Sequence, residues 1–567
     1  MNIRISLEEV IRKYALKNAS DYGKANCGAV AGKVIAEFPD AKKDMKETMM
    51  LISRIVDEIN EMSKNEIENE LRNFVFVEKK IEEKKLTLPN AINGKVVTRF
   101  PPEPSGYLHI GHAKAAFLYF ESARAYNGKM LLRFDDTNPE KEKIEYVNAI
   151  RDGLKWLGVS YASESYTSDY MPVIYQYAEK AILEGMIYIC TCTQSEISKN
   201  REEQKECACR NLSKAETLAR WKKMHRDYGA GKAVVRLKGN MKSLNTVMRD
   251  PSLFRIIEAE HYRQKKKYRV WPTYDFAAPI LDSIEGITHM MRSKEYELRD
   301  ELYREIVKIL ELRKPEIIEF SRLAIKGVPV SKRFITPLVI NGKVSGWDDP
   351  RLPSLNGLAR RGILPEAIKN FVLSFGLSKT ESKPSLEKLL AENRKLLEPS
   401  AKHYFFVPDP IKLKIKNAMP KKIELKFYPN AHIGTESTGT RKINVSGFVY
   451  IPKADFEKIS EGEIFRLKDL YTVKMISKAN YETELVEDKI AEKKIQWVSD
   501  YVEAEILKPH NIMNEDKTFN EKSLEIIRGY AESNISCLKE GDVIQFERFG
   551  FCRLDKKNKR HIFVYSC

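Results

Sequence analysis

The sequence predicts a multidomain protein in which a parallel α/β domain is followed by an all-β region. A chain of 567 residues is too long for a single core of ordinary size. From residue 94 onward, short apolar strands alternate with helix-like segments, which is typical of a parallel sheet. After residue 401 the pattern changes to short strands that end in Pro, Asn or Gly, which favours β-barrels. We therefore predict five parts, which are residues 1–93, 94–168 with 271–322, 169–270, 323–400 and 401–567.

Residues 1–93 are predicted to form a separate helical extension. Apolar residues recur there at spacings of three and four with charged residues between them, as one face of an amphipathic helix requires. They are Met49, Met50, Ile52, Ile55, Val56, Ile59 and Met62. The lysine-rich residues 78–85 indicate a charged helix end and linker, and a solvated face is a simpler interpretation of them than an RNA contact.

The α/β domain is predicted to be Rossmann-like, with strands at residues 95–100 and 130–134 and a helix from Ala113. A second helix is expected to open at Asn138-Pro139, because a cap residue followed by proline is a helix start signal. Residues 169–270 interrupt the sheet, and the strand-like residues 274–276 are expected to resume it. Ligands bind at the carboxyl edge of such sheets, where His112 and Asp135 would lie.

Residues 101–112 read Pro-Pro-Glu-Pro-Ser-Gly-Tyr-Leu-His-Ile-Gly-His and predict a phosphate site on a strand–loop–helix turn. Gly106 and Gly111 would let the backbone approach a triphosphate, and the helix N-terminus would supply N–H groups. His109 and His112 could donate to an α-phosphate as its charge grows during displacement of pyrophosphate. Taken by itself, His-x-x-His is equally compatible with metal ligands or with structurally satisfied histidines.

Four of the eight cysteines form two Cys-x-Cys pairs that flank a polar, charged loop. Cys190, Cys192, Cys207 and Cys209 could supply four thiolates to a structural, tetrahedral Zn²⁺. The spacing differs from the usual Cys-x-x-Cys, so reduced thiols without a metal are the alternative. The remaining cysteines are scattered and are expected to be inert.

The charge balance favours a polyanionic partner. The chain has 97 Lys and Arg against 80 Asp and Glu, a surplus of 17 positive charges. The alternative is simply a basic protein of the cytoplasm. The first residues include acids where a secretory signal would be apolar, and no apolar run reaches membrane-spanning length. We expect a soluble cytoplasmic protein, with no membrane partner, that acts as a monomer.

Five segments, in order along the chain, resemble the class I aminoacyl-tRNA synthetases of the glutamyl and glutaminyl branch. They are residues 98–112, 132–139 (Leu-Arg-Phe-Asp-Asp-Thr-Asn-Pro), 271–276 (Trp-Pro-Thr-Tyr-Asp-Phe), 284–289 (Ile-Glu-Gly-Ile-Thr-His) and 346–353 (Gly-Trp-Asp-Asp-Pro-Arg-Leu-Pro). The resemblance implies activation of an amino acid by ATP with Mg²⁺, followed by its transfer to tRNA. It also implies that the insertion contacts the acceptor stem and that two C-terminal β-barrels read the anticodon, as in the archaeal and eukaryotic glutamyl enzymes. A generic β interaction module is the alternative for this last region.

The resemblance also implies roles for individual residues. His109, His112 and Lys332 would be catalytic. Further ATP-binding positions would be Glu103, Pro104, Ser105, Gly106, Gly111, Ser331 and Arg333. The second class I signature is matched by residues 327–333, where Pro329 and Val330 replace the usual residues before the serine. In some glutamyl enzymes the insertion holds zinc, so the cysteines would act as a folding clip.

The identity of the amino acid substrate can be inferred from the charges that its binding pocket would need. Glutamate presents two carboxylates and one ammonium group, so its pocket should offer two guanidinium groups and one carboxylate. By resemblance the candidates are Arg99, Arg292, Asp135 and Tyr274. Glutamyl enzymes carry arginine at position 292, and glutaminyl enzymes a small neutral residue. We therefore expect ligation of L-glutamate to tRNA(Glu), with charging of tRNA(Gln) left open. The alternatives are a glutaminyl-tRNA synthetase and a catalytically silent tRNA-binding paralogue.

Overall fold

The computed structural model describes residues 6–71, 74, 86–329, 332–429, 439–486 and 491–567, with the side chains of 21, 22, 36, 64, 65 and 332 left aside. The chain divides into two compact units, Met1–Glu83 and Lys84–Cys567. This division falls ten residues before the predicted end of the helical extension at residue 93. Among the described residues, no helix is both long and apolar enough to cross a bilayer.

The first unit is helical, as predicted. Its helices are α1 (Leu7–Tyr22), α2 (Cys27–Glu37), α3 (Met45–Glu61) and α4 (Lys64–Leu71). The apolar stripe forms the inner face of α3, where Ile52, Ile55, Val56 and Ile59 are buried in the unit's core, whereas Met50 is exposed. Of the lysine-rich segment at 78–85, all residues lie outside the described part of the chain.

The second unit begins with the predicted parallel sheet. Its first elements are β1 (Val97–Phe100), α5 (Ile110–Ala125), β2 (Lys129–Phe134), α6 (Ile144–Trp156) and β3 (Glu164–Tyr166). The prediction of a helix opening at Asn138-Pro139 is wrong. The Asn138 N–H donates to the Glu142 carboxylate over 2.9 Å and holds a turn there, so α6 begins only at Ile144.

The insertion has its own antiparallel sheet. Its elements are α7 (Met171–Leu183), β4 (Ile187–Cys190), α8 (Gln194–Glu202), α9 (Lys214–Met224), β5 (Val234–Leu237), β6 (Ser252–Ile256) and β7 (Val270–Pro272). The strand order is β4-β5-β6-β7, and the core around it includes the buried Trp221 and Trp271. Because Trp271 and Pro272 lie in β7, the insertion's sheet extends past the predicted limit at residue 270.

The chain then returns to the parallel sheet through α10 (Tyr274–Ile284), β8 (His289–Ser293), α11 (Asp300–Ile309) and β9 (Glu316–Phe320). The prediction of a strand at residues 274–276 is wrong, because these residues begin a helix with a buried apolar face. The strand β8 pairs in parallel with β9, and the Thr288 N–H donates to the Val97 carbonyl over 3.0 Å. The three-stranded sheet β3-β2-β1 and the pair β8-β9 are separate in their ladder hydrogen bonds, but β8 lies beside β1, so the strands follow one another in the order β3-β2-β1-β8-β9. This order has its topological switch between β1 and β8, which agrees with the Rossmann-like prediction.

A helical connector follows, made of α12 (Lys332–Ile340), α13 (Leu355–Arg361), α14 (Pro365–Leu373) and α15 (Leu386–Leu397). Leu355, Leu358 and Phe371 from these helices share one apolar core with Ile110 and Ala113 of α5. The connector therefore fixes the position of α5.

The last part of the chain is β-rich, as predicted. Its elements are β10 (Lys402–Tyr404), β11 (Phe406–Pro408), β12 (Pro410–Lys416), β13 (Lys421–Lys426), β14 (Thr440–Val445), β15 (Phe448–Pro452), α16 (Lys453–Glu457), β16 (Ile464–Leu467), β17 (Thr472–Ser477), β18 (Glu482–Leu485), β19 (Lys494–Ile495), β20 (Tyr501–Pro509), β21 (Leu524–Glu532), β22 (Val543–Phe546), β23 (Gly550–Lys557) and β24 (His561–Tyr565).

Most of these strands form two nearly closed, barrel-like sheets, and β13 and β14 pair with each other in a separate two-stranded sheet. In the seven-stranded sheet, the edge strands β10 and β11 are consecutive in the chain, so the sheet curls back on itself. In the six-stranded sheet, Val498 follows the edge strand β19 and exchanges two backbone hydrogen bonds with Tyr450 of the opposite edge strand β15, at 2.6 and 3.0 Å.

Candidate active site

The paired histidines lie at the start of α5, at the carboxyl end of β1. Their ring centroids are 3.8 Å apart. The Gly111 N–H donates to Nδ1 of His109 over 3.0 Å, and the His109 N–H donates to Nδ1 of His112 over 3.2 Å. A nitrogen that accepts a hydrogen bond carries no proton, so in each neutral ring the proton is on Nε2. Both imidazoles therefore have the tautomer whose Nε2–H can donate to an anion.

The N–H groups in the first turn of this helix have hydrogen-bond partners within the protein. The Ile110 N–H donates to the Pro353 carbonyl over 3.0 Å, and the His112 N–H to the His109 carbonyl over 2.8 Å. The Gly111 N–H is taken by the His109 ring. The helix dipole and the two imidazoles are the features of this turn that would favour an anion.

Gly111 also has a local packing role. A Cβ at this position would lie 2.8 Å from Cε1 of His109. The glycine therefore makes room for the His109 ring beside the helix start.

The loop that leads to α5 is held on two sides. On one side, the Asp135 N–H donates to the Pro102 carbonyl and the Lys143 N–H to the Pro104 carbonyl, over 3.0 and 3.1 Å. On the other side, the ring of Tyr107 lies 5.3 Å from that of Trp347. The predicted ATP-binding residues at 103–106 thus lie in one loop held on two sides, in which Pro104 and Gly106 are buried, Ser105 is half-buried and Glu103 is exposed.

Arg99 lies on β1 and is buried in a network centred on Asp282 of α10. Nε of Arg99 donates to Oδ1 of Asp282 over 2.7 Å, and Nη2 to Oδ2 over 3.2 Å. The same carboxylate accepts from Arg133 over 2.7 Å and from the Tyr303 hydroxyl over 2.9 Å. Burial would raise the pKa of Asp282, but the two arginines outweigh it and the pKa lies below its usual value.

Arg292 lies on β8, the strand next to β1, and only 4% of its surface is exposed. It forms an ion pair with Asp300, the first residue of α11. The centre of its guanidinium group is 5.9 Å from the ring centroids of Tyr296 and of Tyr303. Burial raises the pKa of Tyr119, and the charges of Arg99 and Arg292 both act to lower it. The two predicted arginines therefore lie in one region around this tyrosine.

Asp135 and Tyr274 complete this region. Asp135 follows β2, is half-buried, and accepts a long hydrogen bond of 3.3 Å from the Thr167 hydroxyl. Burial raises its pKa, although Arg133 and Arg99 oppose the shift. Tyr274 is the first residue of α10, and its ring lies 5.4 Å from that of Tyr296. A carboxylate, two tyrosine rings and two guanidinium groups thus surround the switch point of the sheet.

The second signature is described only in part. Gly327 has φ of +74°, a conformation that favours glycine. Val330 and Ser331 lie outside the described residues. Lys332 is the first residue of α12, and the next residue, Arg333, is exposed.

The four cysteines of the insertion come together as predicted. All four Sγ atoms lie within 4.8 Å of one another, and the Cys190 and Cys207 sulfurs are 3.8 Å apart. A tetrahedral site with Zn–S bonds of about 2.3 Å has sulfur–sulfur edges of about 3.8 Å. Arg236 and Arg220 donate to the sulfurs of Cys190 and Cys209, and the Arg236 contact opposes burial, which raises the pKa of Cys190. The donor set therefore fits Zn²⁺.

The basic run at 263–269 in the insertion is only partly available to a partner. Arg263 stacks 3.4 Å from the Tyr166 ring centroid and pairs with Asp169. Arg269 pairs with Glu258 and also binds backbone carbonyls. The exposed cations of this run are the three lysines at 265–267.

Sequence reasoning missed the residues that hold the arginines. The sequence gives one usable signal for Asp282, which is one of only two acids, with Asp275, in the mostly apolar helix α10. Asp300, Tyr303 and Tyr119 show no such signal, because their roles depend on which strands become neighbours. Lys114 was also missed. It is buried in α5, and its Nζ donates to the Ser321 carbonyl over 2.5 Å.

Comparison with models of protein families shows which class of protein this chain belongs to. Residues 95–399 match the catalytic domain of the family described as tRNA synthetases class I (E and Q). Residues 401–490 and 494–555 match the two anticodon-binding domains of the same family. A paired-histidine loop at the switch point of a Rossmann-like sheet, followed by two barrels, is thus the architecture of a class I tRNA synthetase, and the chain belongs to the E and Q family of that class.

Curated relatives specify the family member further. A glutamate–tRNA ligase from Nitrosopumilus maritimus is 44% identical over 98% of both chains. The glutamate–tRNA ligase of Cenarchaeum symbiosum is 41% identical over 98% of both chains. That of Pyrococcus furiosus is 38% identical over 99% of this chain and all of its own. The relatives and this chain thus match along nearly their whole lengths.

Proposed function

We propose that this protein ligates L-glutamate to tRNA(Glu), with ATP as the energy source and glutamyl-adenylate as the intermediate. The observation that carries the proposal is the pair of buried arginines, Arg99 on β1 and Arg292 on the neighbouring strand β8, with the paired histidines in the loop and helix start that follow β1. A dianionic amino acid held there would have its α-carboxylate within reach of a nucleotide whose phosphates lie at His109 and His112.

The chemistry is a displacement at the α-phosphate. The α-carboxylate of glutamate attacks the α-phosphorus of Mg-ATP, the bond to the β-phosphate oxygen breaks, and pyrophosphate leaves. The terminal ribose hydroxyl of tRNA then attacks the glutamyl carbonyl, and AMP leaves. His109 and His112 donate from Nε2 to the phosphate as its charge grows, and Lys332 with Ser331 and Arg333 contacts the triphosphate.

In the amino-acid pocket, Asp135 binds the ammonium group and the arginines bind the carboxylates. Asp135 needs its negative charge for this role. A bound ammonium group would lower the pKa of Asp135 again and keep the carboxylate ionised. Tyr274 lines the same pocket. Arg292 distinguishes glutamate from glutamine, because a buried guanidinium group gains more from a carboxylate than from an amide.

The other parts would serve tRNA. The insertion would contact the acceptor stem, with Cys190, Cys192, Cys207 and Cys209 holding a structural Zn²⁺ that fixes the loop between them. The two barrels would read the anticodon. These roles would follow the domain boundaries predicted from the sequence, with the end of the helical extension moved to residue 83 and the end of the insertion moved to residue 272. We place the enzyme in the cytoplasm, where tRNA is charged.

The test is aminoacylation of purified tRNA(Glu) and tRNA(Gln) with labelled glutamate and labelled glutamine. Glutamate should be esterified to tRNA(Glu) and glutamine should not. A preference for glutamine would support the glutaminyl alternative, and no product with either amino acid would support a silent paralogue. The variant His112→Ala should lose adenylate formation, measured as ATP–pyrophosphate exchange with tRNA present, while its affinity for tRNA stays unchanged.

A further inference from the structure

Arg292 and Arg99 differ in how their charges are balanced. Arg99 is paired with Asp282, which is fully buried and accepts four hydrogen bonds. Among the described residues, no acceptor other than Asp300 is placed to receive a hydrogen bond from the three guanidinium nitrogens of Arg292, all of which are buried. Within the described residues, the one carboxylate at ion-pair distance from Arg292 is that of Asp300.

Asp300 is placed so that it can leave Arg292. Its side chain is 18% exposed, whereas that of Asp282 is fully buried. Its Oδ1 is buried against the Arg292 guanidinium group, and among the described residues no donor other than Arg292 contacts it. Because Asp300 is the first residue of α11, the positive end of the helix dipole stabilises its charge in any rotamer. Turning away from Arg292 therefore costs Asp300 less than it would cost a carboxylate in the interior.

We propose that Asp300 is a displaceable counter-ion, which neutralises Arg292 until the side-chain carboxylate of glutamate takes its place. This inference rests on the proposed function. The exchange replaces one carboxylate by another, so the buried guanidinium group is never left without a negative partner. Glutamine would remove Asp300 and bring only a neutral amide.

The arrangement separates affinity from specificity. Every amino acid that enters must displace Asp300, so its competition weakens glutamate and glutamine binding by the same factor. The difference between the two substrates comes from Arg292 alone. Asp300 thus sets how much glutamate is needed, and Arg292 sets which amino acid is used.

The test is Asp300→Asn, an isosteric change that removes the competing charge. With tRNA and ATP saturating, we expect the KM for glutamate to fall about tenfold while kcat changes little. The KM for glutamine should fall by the same factor, so that the ratio of kcat/KM for the two amino acids is unchanged. Glutamate should also raise the melting temperature of the variant more than that of the wild type.

The matched control is Glu295→Gln, which breaks the exposed ion pair with Arg322 in the segment just before α11 and should leave both KM values unchanged. If Asp300→Asn folds poorly, Asp300→Ser keeps an oxygen at the helix start and should show the same fall in KM. An unchanged or higher KM for glutamate in either variant would overturn the proposal. Failure of the proposed function would give a different result from failure of the counter-ion role. If Arg292 did not select glutamate, Arg292→Cys would leave the ratio of kcat/KM for glutamate and glutamine unaltered.

Discussion

The substitution Asp282→Asn removes the carboxylate on which Arg99, Arg133 and Tyr303 converge. Arg133 keeps a second partner, because it also donates to Glu285 over 2.7 Å. Arg99 is left without its paired carboxylate, and the new amide N–H₂ faces a guanidinium group. Removing one partner of a buried ion pair costs about 3–5 kcal/mol. We therefore expect the free energy of unfolding of the second unit to fall by about that amount.

The assay is urea denaturation of the wild type and the variant, combined with the KM for glutamate. The KM should rise, because Arg99 loses the contact that orients it. The control is Glu311→Gln, which breaks an exposed pair with Lys180 and should change neither quantity. A loss of stability below about 1 kcal/mol, as for a surface pair, would refute the reasoning.

The difference in stability between the wild type and Asp282→Asn should depend on pH. Because the pKa of Asp282 is lowered in the folded protein, its contribution to stability is fully present above the unfolded value of about 3.9. That contribution is lost as the pH falls through the folded value. The difference in stability between wild type and Asp282→Asn should therefore be constant at neutral pH and shrink below about pH 4. A difference that grows on acidification would contradict the assignment.

Three further predictions follow from single residues. Gly111→Ala should displace the His109 ring, because a Cβ at position 111 would lie 2.8 Å from it. The rate of ATP–pyrophosphate exchange should then fall about 10²-fold while the melting temperature barely changes. An unimpaired exchange rate would count against the role of His109. Cys190→Ser should reduce zinc from about one atom per chain to almost none, measured by mass spectrometry of the metal, and should raise the KM for tRNA but not for glutamate; full zinc content would reject the site. Burial lowers the pKa of Lys114 to about 8, so between pH 8 and the unfolded pKa of about 10.4 the unfolded chain binds more protons than the folded protein. The stability of the wild type relative to Lys114→Met should therefore rise with pH over this range, by up to about 3 kcal/mol. A difference in stability that does not change with pH in denaturation experiments would contradict this.

Local patterns in the sequence predicted the parallel sheet, the histidine loop and the cysteine cluster, since each depends on residues close together in the chain. The errors and omissions come from tertiary contacts. The helix start expected at Asn138 is lost to a hydrogen bond from its own N–H to Glu142. The N–H of Ile110 is taken by Pro353, which is far away in sequence. Asp282 lies 183 residues from Arg99, so no local pattern could reveal their contact.

If Arg292 binds the side-chain carboxylate of glutamate in a pocket shared with Arg99, a crystal structure of the complex with glutamate will show the contact. We expect the distance from an Arg292 guanidinium nitrogen to a side-chain carboxylate oxygen to be about 2.7–2.9 Å, with Asp300 turned away and the Arg99–Asp282 pair intact. Glutamate bound out of reach of Arg292, with Arg292 still paired to Asp300, would rule this binding mode out.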